Sequence, residues 1–168
     1  MLISAVSAAN TLVYNKSKEE KECDGMGTTC VTALVHNGIC CIASVGDSRA
    51  YHIGEFGIKQ ITDDHTMVEY LHAKGLIDES QMQYHKMKNV ITRAVGVEQE
   101  VEPDYFEIDV QKGEYVLICT DGLTNYLSDE LIYSTAYRQP IEQSVTELIE
   151  KANQRGGKDN ITAVLIAV

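Results

Sequence analysis

Apolar residues recur at spacings of three and four at the start of the chain, where Leu2, Ile3, Val6, Ala9 and Val13 share one stripe and predict an amphipathic helix over 2–14. The charged run 16–22 behind it predicts a solvated linker. From residue 29 the period changes. Residues 29–36 and 39–45 are rich in β-branched and apolar side chains and flank Asn37-Gly38, which supplies the positive φ angles of a type I′ turn, so a β-hairpin is predicted. A second hairpin, 50–53 with 58–61, surrounds Gly54-Glu55-Phe56-Gly57 and makes an antiparallel meander. Residues 64–86 then place Met67, Val68 and Leu71 at helical spacing, break at Gly75, and open a short polar helix at Asp78-Glu79-Ser80. This stretch reads as a helical flap over the sheet edge.

Strand pattern returns at 89–95 and 104–110, and residues 111–114 turn into an apolar strand at 115–119. Ser128 is placed to cap a helix over 129–137, and Pro140 precedes a helix over 141–154 that turns Val145, Leu148, Ile149 and Ala152 inward and ends at Arg155-Gly156-Gly157. Residues 161–168 are apolar at seven of eight positions, which predicts a strand with neighbours on both sides. Hairpin strands with segregated amphipathic helices give an α+β class, a layered α-β-β-α sandwich of two antiparallel sheets. The chain opens directly on a helix with no capping residue, and the fold is therefore expected to be N-terminally truncated: one partial domain over 1–168, with 64–88 as its flap.

Composition narrows the partners. Lys and Arg total 14 against 25 Asp and Glu, a formal net charge of −11, and no basic footprint for nucleic acid or an anionic membrane is present. Cys23, Cys30, Cys40, Cys41 and Cys119 are odd in number and show no C-x-x-C spacing, which predicts reduced thiols in a cytoplasmic protein. No apolar run is long enough to span a bilayer, and the start of the chain carries no basic leader.

The candidate chemistry lies in carboxylates. Asp121 follows the strand 115–119 and precedes Gly122, so a charged oxygen stands where another backbone can approach closely. Gly46-Asp47-Ser48-Arg49 and Gly156-Gly157-Lys158-Asp159-Asn160 make similar offers beside apolar runs. Asp121 is read as a hub on which Asp47 and Asp159 converge. Three carboxylates together would repel, and Mg²⁺ or Mn²⁺, which prefer oxygen ligands, would relieve the repulsion. Each pair alone reads more readily as an ordinary turn. Arg49 is placed either to meet phosphate or to pair with an acid. The histidines His36, His52, His65, His72 and His85 are expected in surface or capping roles, and no Gly-x-Ser-x-Gly elbow, P-loop or Cys-x5-Arg loop occurs.

Six segments in order carry a family resemblance. They are Gly25-Met26-Gly27-Thr28-Thr29, Val45-Gly46-Asp47-Ser48-Arg49-Ala50-Tyr51, Gln60-Ile61-Thr62-Asp63-Asp64-His65, Asn89-Val90-Ile91-Thr92-Arg93-Ala94-Val95-Gly96, Cys119-Thr120-Asp121-Gly122-Leu123-Thr124 and Gly156-Gly157-Lys158-Asp159-Asn160-Ile161-Thr162. The chain resembles the bacterial branch of the metal-dependent serine/threonine protein phosphatases, the PP2C (PPM) family. The resemblance implies hydrolysis of phosphoserine and phosphothreonine in phosphorylated proteins, by direct attack of water and without a phosphoenzyme, at a dinuclear Mn²⁺ or Mg²⁺ centre. It assigns Asp121 and Asp159 to that centre and Asp47, with Asp121, to a third and weaker metal. It identifies 64–88 with the flap beside the active site, and it assigns no separate catalytic side chain.

Complete members carry an Asn-Glu-Asp segment, an Asp-Gly-Met-Gly-Gly-His segment and a phosphate-gripping arginine upstream of Gly-Met-Gly-Thr-Thr. Asp24-Gly25-Met26-Gly27 leads straight into Thr28-Thr29 and is not read as a metal motif. The expectation is therefore an impaired enzyme with weak metal binding, or alternatively a catalytically inactive regulatory or interaction module. Strand edges left open by truncation are expected to form a homodimer.

Overall fold

The computed structural model describes residues 1–137 and 140–168. Their contacts divide the chain into two compact units, one of residues 1–32, 43–47 and 63–105 and the other of residues 33–42, 48–62 and 106–168. The strands form a three-stranded sheet in the order β1-β2-β5 and a four-stranded sheet in the order β4-β3-β6-β7. Here β1 is Cys30–His36, β2 Ile39–Val45, β3 Arg49–Gly54, β4 Gly57–Gln60, β5 Asp104–Asp109, β6 Tyr115–Cys119 and β7 Ala163–Ala167. Asn37 and Gly38, with φ of 50° and 78°, make the turn between β1 and β2 as their side chains predict.

In the first unit, helix α1 spans Leu2–Glu19 and runs through the stretch expected as a linker, and a short 3-10 turn follows at Lys21–Cys23. The apolar stripe of α1 outweighs the charges that follow it. Val6 joins Ala43, Val45 and Val95 in a buried cluster, with Leu2 and Val13 packed against it. Asn10, only 1% exposed, donates from Nδ2 to the carbonyls of Glu98 and Gln99, both at 3.1 Å, and accepts the Gly96 N–H at 2.7 Å. Satisfying its amide on three backbone groups fixes α1 to the 96–99 loop. The strand expected at 89–95 does not form. Only isolated bridges remain, Thr28 with Val95 and Thr66 with Ile91. The flap contains α2, Met67–Ala73, capped by Thr66 on the Glu69 N–H, and α3, Glu79–Met82, with an Asp78/Gln81 capping box.

The second unit is built on the antiparallel pairs β3 with β4, β3 with β6, and β6 with β7. Alternation along β3 and β6 sends Tyr51, Ile53, Leu117 and Cys119 into one core. Leu123 and Leu127, Ile132 and Ala136 of α5 (Asp129–Tyr137), and Leu148 and Ala152 of α6 (Ile141–Gln154) complete it. Strand β7 is an edge strand, and Val164 is half exposed. Its apolar content reflects one face packed on the core, not two neighbouring strands as expected. The five cysteines are free; burial pushes the Cys30 thiol up, and burial followed by Cys41 does the same for Cys40. Among the described residues no helix is long and apolar enough to cross a membrane.

Candidate metal site

Strand β6 ends at Cys119, opposite Ala163 of β7, and the pairing continues past the strand ends through Thr120. Its N–H donates to the Thr162 carbonyl at 3.1 Å, and its Oγ1 accepts the Thr162 N–H at 3.0 Å and donates to the Asn160 carbonyl at 3.2 Å. The chain then turns into α4, Asp121–Thr124, a helix absent from the sequence reading. Gly122 makes the crossing of the two segments possible. A Cβ there would lie 2.3 Å from the Asn160 carbonyl oxygen, so no other residue permits this approach.

Asp121 and Asp159 stand on the two crossing segments. Asp121 is half-buried and its Oδ2 accepts from Asn125 Nδ2 at 3.1 Å; Asp159 is exposed and its Oδ1 accepts the Asn160 N–H at 2.7 Å. Among the described residues, Oδ1 of Asp121 and Oδ2 of Asp159 accept no hydrogen bond. The loop that carries Asp159 is wrapped on Tyr126: Arg155 donates to its carbonyl at 3.3 Å, and the Lys158 N–H donates to its hydroxyl at 3.2 Å. A Cβ at Gly156, φ 146°, would meet the Tyr126 ring at 2.6 Å.

Asp47 lies in the first unit, half-buried between β2 and β3 and with partners of its own. Arg49 donates to the Tyr51 hydroxyl at 3.1 Å. Among the described residues no group of three or more His, Cys, Asp or Glu side chains is arranged to hold one ion. The donor set offered by Asp121 and Asp159 is oxygen only, which fits a hard divalent cation that keeps water in its remaining positions.

The sequence reading missed a polar cluster in the first unit. His65 is 8% exposed, not on the surface. Its Nδ1 accepts the Gly46 N–H at 3.0 Å, and its Nε2 lies 3.0 Å from Asp104 Oδ2. Arg93 Nη1 bonds Asp104 Oδ1 at 2.6 Å and the Glu102 carbonyl at 2.9 Å. Partial burial pushes the Asp104 carboxyl up, and the bonds from His65 and Arg93 more than offset it, so its pKa lies below the usual range. Asp63-Asp64 beside His65 drew attention to the wrong acid; the partner is 39 residues away.

Comparison with known proteins places this chain in a family. The family model described as protein phosphatase 2C matches residues 1–161. A serine/threonine phosphatase, stp, of Listeria monocytogenes serotype 4b (strain F2365) is 36% identical over 98% of this chain and 66% of its own length. The crystal structure of the serine/threonine phosphatase Stp1 from Staphylococcus aureus superimposes with a TM-score of 0.92 at 37% identity, covering 99% of this chain and 66% of that one. The catalytic domain of the serine threonine protein phosphatase PstP in complex with 2 manganese ions does so with a TM-score of 0.86 at 33% identity, over 98% of this chain and 68% of that one.

These matches correct several expectations. The family model is matched from residue 1, and the relatives align with 98–99% of the chain, so its description as N-terminally truncated is withdrawn. The argument for lost N-terminal catalytic motifs, and with it the impaired enzyme and the inactive regulatory module, falls on the same ground. Helix α1 begins with no side-chain cap, as expected, and buries its Val6 and Asn10 in the first unit. The chain spans 66% of the length of the Listeria phosphatase it matches. The two-sheet α+β fold read from the sequence is retained, and the chain belongs to the protein phosphatase 2C family.

Proposed function

We propose that this chain hydrolyses phosphoserine and phosphothreonine in proteins, with Mn²⁺ or Mg²⁺ held by Asp121 and Asp159. The observation that carries the reading is the crossing at Gly122 and Asn160, which sets two carboxylates with open oxygens on touching segments. A bound divalent cation supplies charge neutralisation at the phosphoryl oxygens and lowers the pKa of water. Asp121 holds its oxygen at a fixed angle through Asn125, and Thr120 ties the two segments so that both carboxylates approach from one loop pair. Asp47 is proposed as a ligand of a third, weaker metal on the family resemblance. The flap, with Tyr70, Leu76 and Tyr84 exposed, is proposed to contact the phosphoprotein.

The test measures Mn²⁺ binding by calorimetry and Mn²⁺-dependent phosphate release from a phosphothreonine peptide. Asp121→Asn and Asp159→Asn should each weaken Mn²⁺ at least ~10-fold and abolish the metal-dependent rate. Parent-like affinity in both variants would refute the assignment. A homodimer through the open edge of β7, where Val164 is half exposed, is a second proposal. A light-scattering mass of 18.6 kDa at high concentration would refute it.

A further inference from the structure

Gly46 immediately precedes Asp47, and its backbone is held on both sides by one residue. The Gly46 N–H donates to His65 Nδ1 at 3.0 Å, and the His65 N–H donates to the Gly46 carbonyl at 2.9 Å. The N–H belongs to the peptide plane entering Gly46 and the carbonyl to the plane that ends on the Asp47 nitrogen. Both planes are therefore fixed relative to the His65 side chain and backbone. The space around Gly46 adds to this: with φ 108°, a Cβ there would lie 2.4 Å from Thr29 Cγ2. The turn can neither swing out of its left-handed conformation without losing two hydrogen bonds nor accept a side chain.

The imidazole is itself oriented. A backbone N–H can only donate, so Nδ1 is the unprotonated nitrogen and Nε2 carries the hydrogen, which it gives to Asp104 Oδ2; Arg93 Nη1, also only a donor, lies 3.1 Å from Nε2 and bonds Asp104 Oδ1 instead. The other oxygen of Asp104 is taken by Arg93. The His65 carbonyl accepts the Thr92 N–H at 2.7 Å, so both ring nitrogens and both backbone groups of His65 are engaged. A histidine serving only to fill the core would not need its Nδ1 on the residue next to a carboxylate that the resemblance assigns to metal.

We infer that His65 is a positioning residue for Asp47: oriented by Asp104 and Arg93, its ring fixes the two peptide planes at Gly46 and thereby the direction in which Asp47 presents its carboxylate to a divalent cation. The inference rests on the proposed role of Asp47 as a metal ligand. Asparagine can place an acceptor where Nδ1 stands, and glutamine can place a donor where Nε2 stands. The two variants therefore separate the grip on Gly46 from the bond to Asp104.

The experiment titrates Mn²⁺ into the full chain and its variants by calorimetry, with amide exchange at Gly46 as a metal-free readout. His65→Gln should weaken the Asp47-dependent component of binding ~10-fold and speed exchange at the Gly46 N–H, while His65→Asn should retain both within ~3-fold. Asp104→Ala, at a side chain one-third exposed, keeps the test open if His65→Gln fails to fold, and should weaken the same component. Asp47→Ala separates the two claims. If it leaves Mn²⁺ binding unchanged, or if the parent binds no Mn²⁺, the reading of Asp47 falls and takes the inference with it. If Asp47→Ala weakens binding but His65→Gln and Asp104→Ala match the parent, His65 is structural and the positioning role is overturned.

Discussion

The two units fix their loops by different physical means. The second unit surrounds β3 and β6 with a core of Tyr51, Ile53, Leu117, Leu123, Ile132 and Leu148, each fully buried, and crosses its loops at a glycine. Above that apolar core Asp121 is half-buried and Asp159 exposed. The first unit buries fewer large side chains and relies on polar ones, Asn10 and His65, whose hydrogen bonds grip backbone groups far away in sequence. Apolar packing is non-directional and tolerates neighbours of similar volume, whereas a buried amide or imidazole demands particular partners and costs its desolvation if one is removed. The first unit should therefore be more sensitive to changes of chemistry, and the second to changes of volume.

Leu117→Ala should give the largest effect, lowering stability in urea titration by ~2–5 kcal/mol through the cavity left between β6 and the helices. Gly122→Ala should cost ~1–3 kcal/mol, since its methyl must push away the Asn160 carbonyl, and should weaken Mn²⁺ binding as well. Unchanged metal affinity there would separate the crossing from the site. In the first unit, Asn10→Ala should cost ~1–3 kcal/mol by stranding the Gly96 N–H and the carbonyls of Glu98 and Gln99. Asn10→Leu should be no better; parent-like stability in that variant would show that shape, not hydrogen bonding, holds α1.

The smallest expected effect is on pH dependence, and it compares one acid in each unit. Asp104 lies below its ordinary pKa for the reasons given above; Glu114 does so because His52 bonds it at 2.8 Å and the Gln111 N–H does likewise, against slight desolvation. A folded-state pKa below the unfolded value contributes stability that is present above about pH 4 and is lost as pH falls through the depressed value. Asp104→Asn and Glu114→Gln should each flatten the acid limb of the stability curve below about pH 4 relative to the parent. An acid limb of unchanged slope in both would show that these bonds are replaced equally well by solvent.

Much of the fold was legible in local pattern. The 3.6 period of 2–14, the Asn37-Gly38 turn and the apolar runs of β2, β3 and β6 each report a preference set within a few residues, and all formed. The candidate site was legible in part, because Asp121-Gly122 and Asp159-Asn160 combine a carboxylate with backbone freedom in the sequence itself. The misses share a cause. Residues 89–95 alternate like a strand but meet only isolated bridges, and β7 looks doubly buried yet ends the sheet. Those outcomes depend on which neighbour the chain finds, and periodicity carries no record of the neighbour.

By itself the sequence determined which segments could be helix or strand, where the turns lie and which side chains could serve as oxygen ligands, because these follow from side-chain shape and charge at short range. Only the tertiary structure decided that Gly122 sits under the Asn160 carbonyl, that His65 takes Asp104 as its partner, and that Asn10 is buried on the 96–99 loop. Each of these joins residues 38 to 89 positions apart in the chain, and such pairs are selected by the packing of whole elements, which no local pattern encodes.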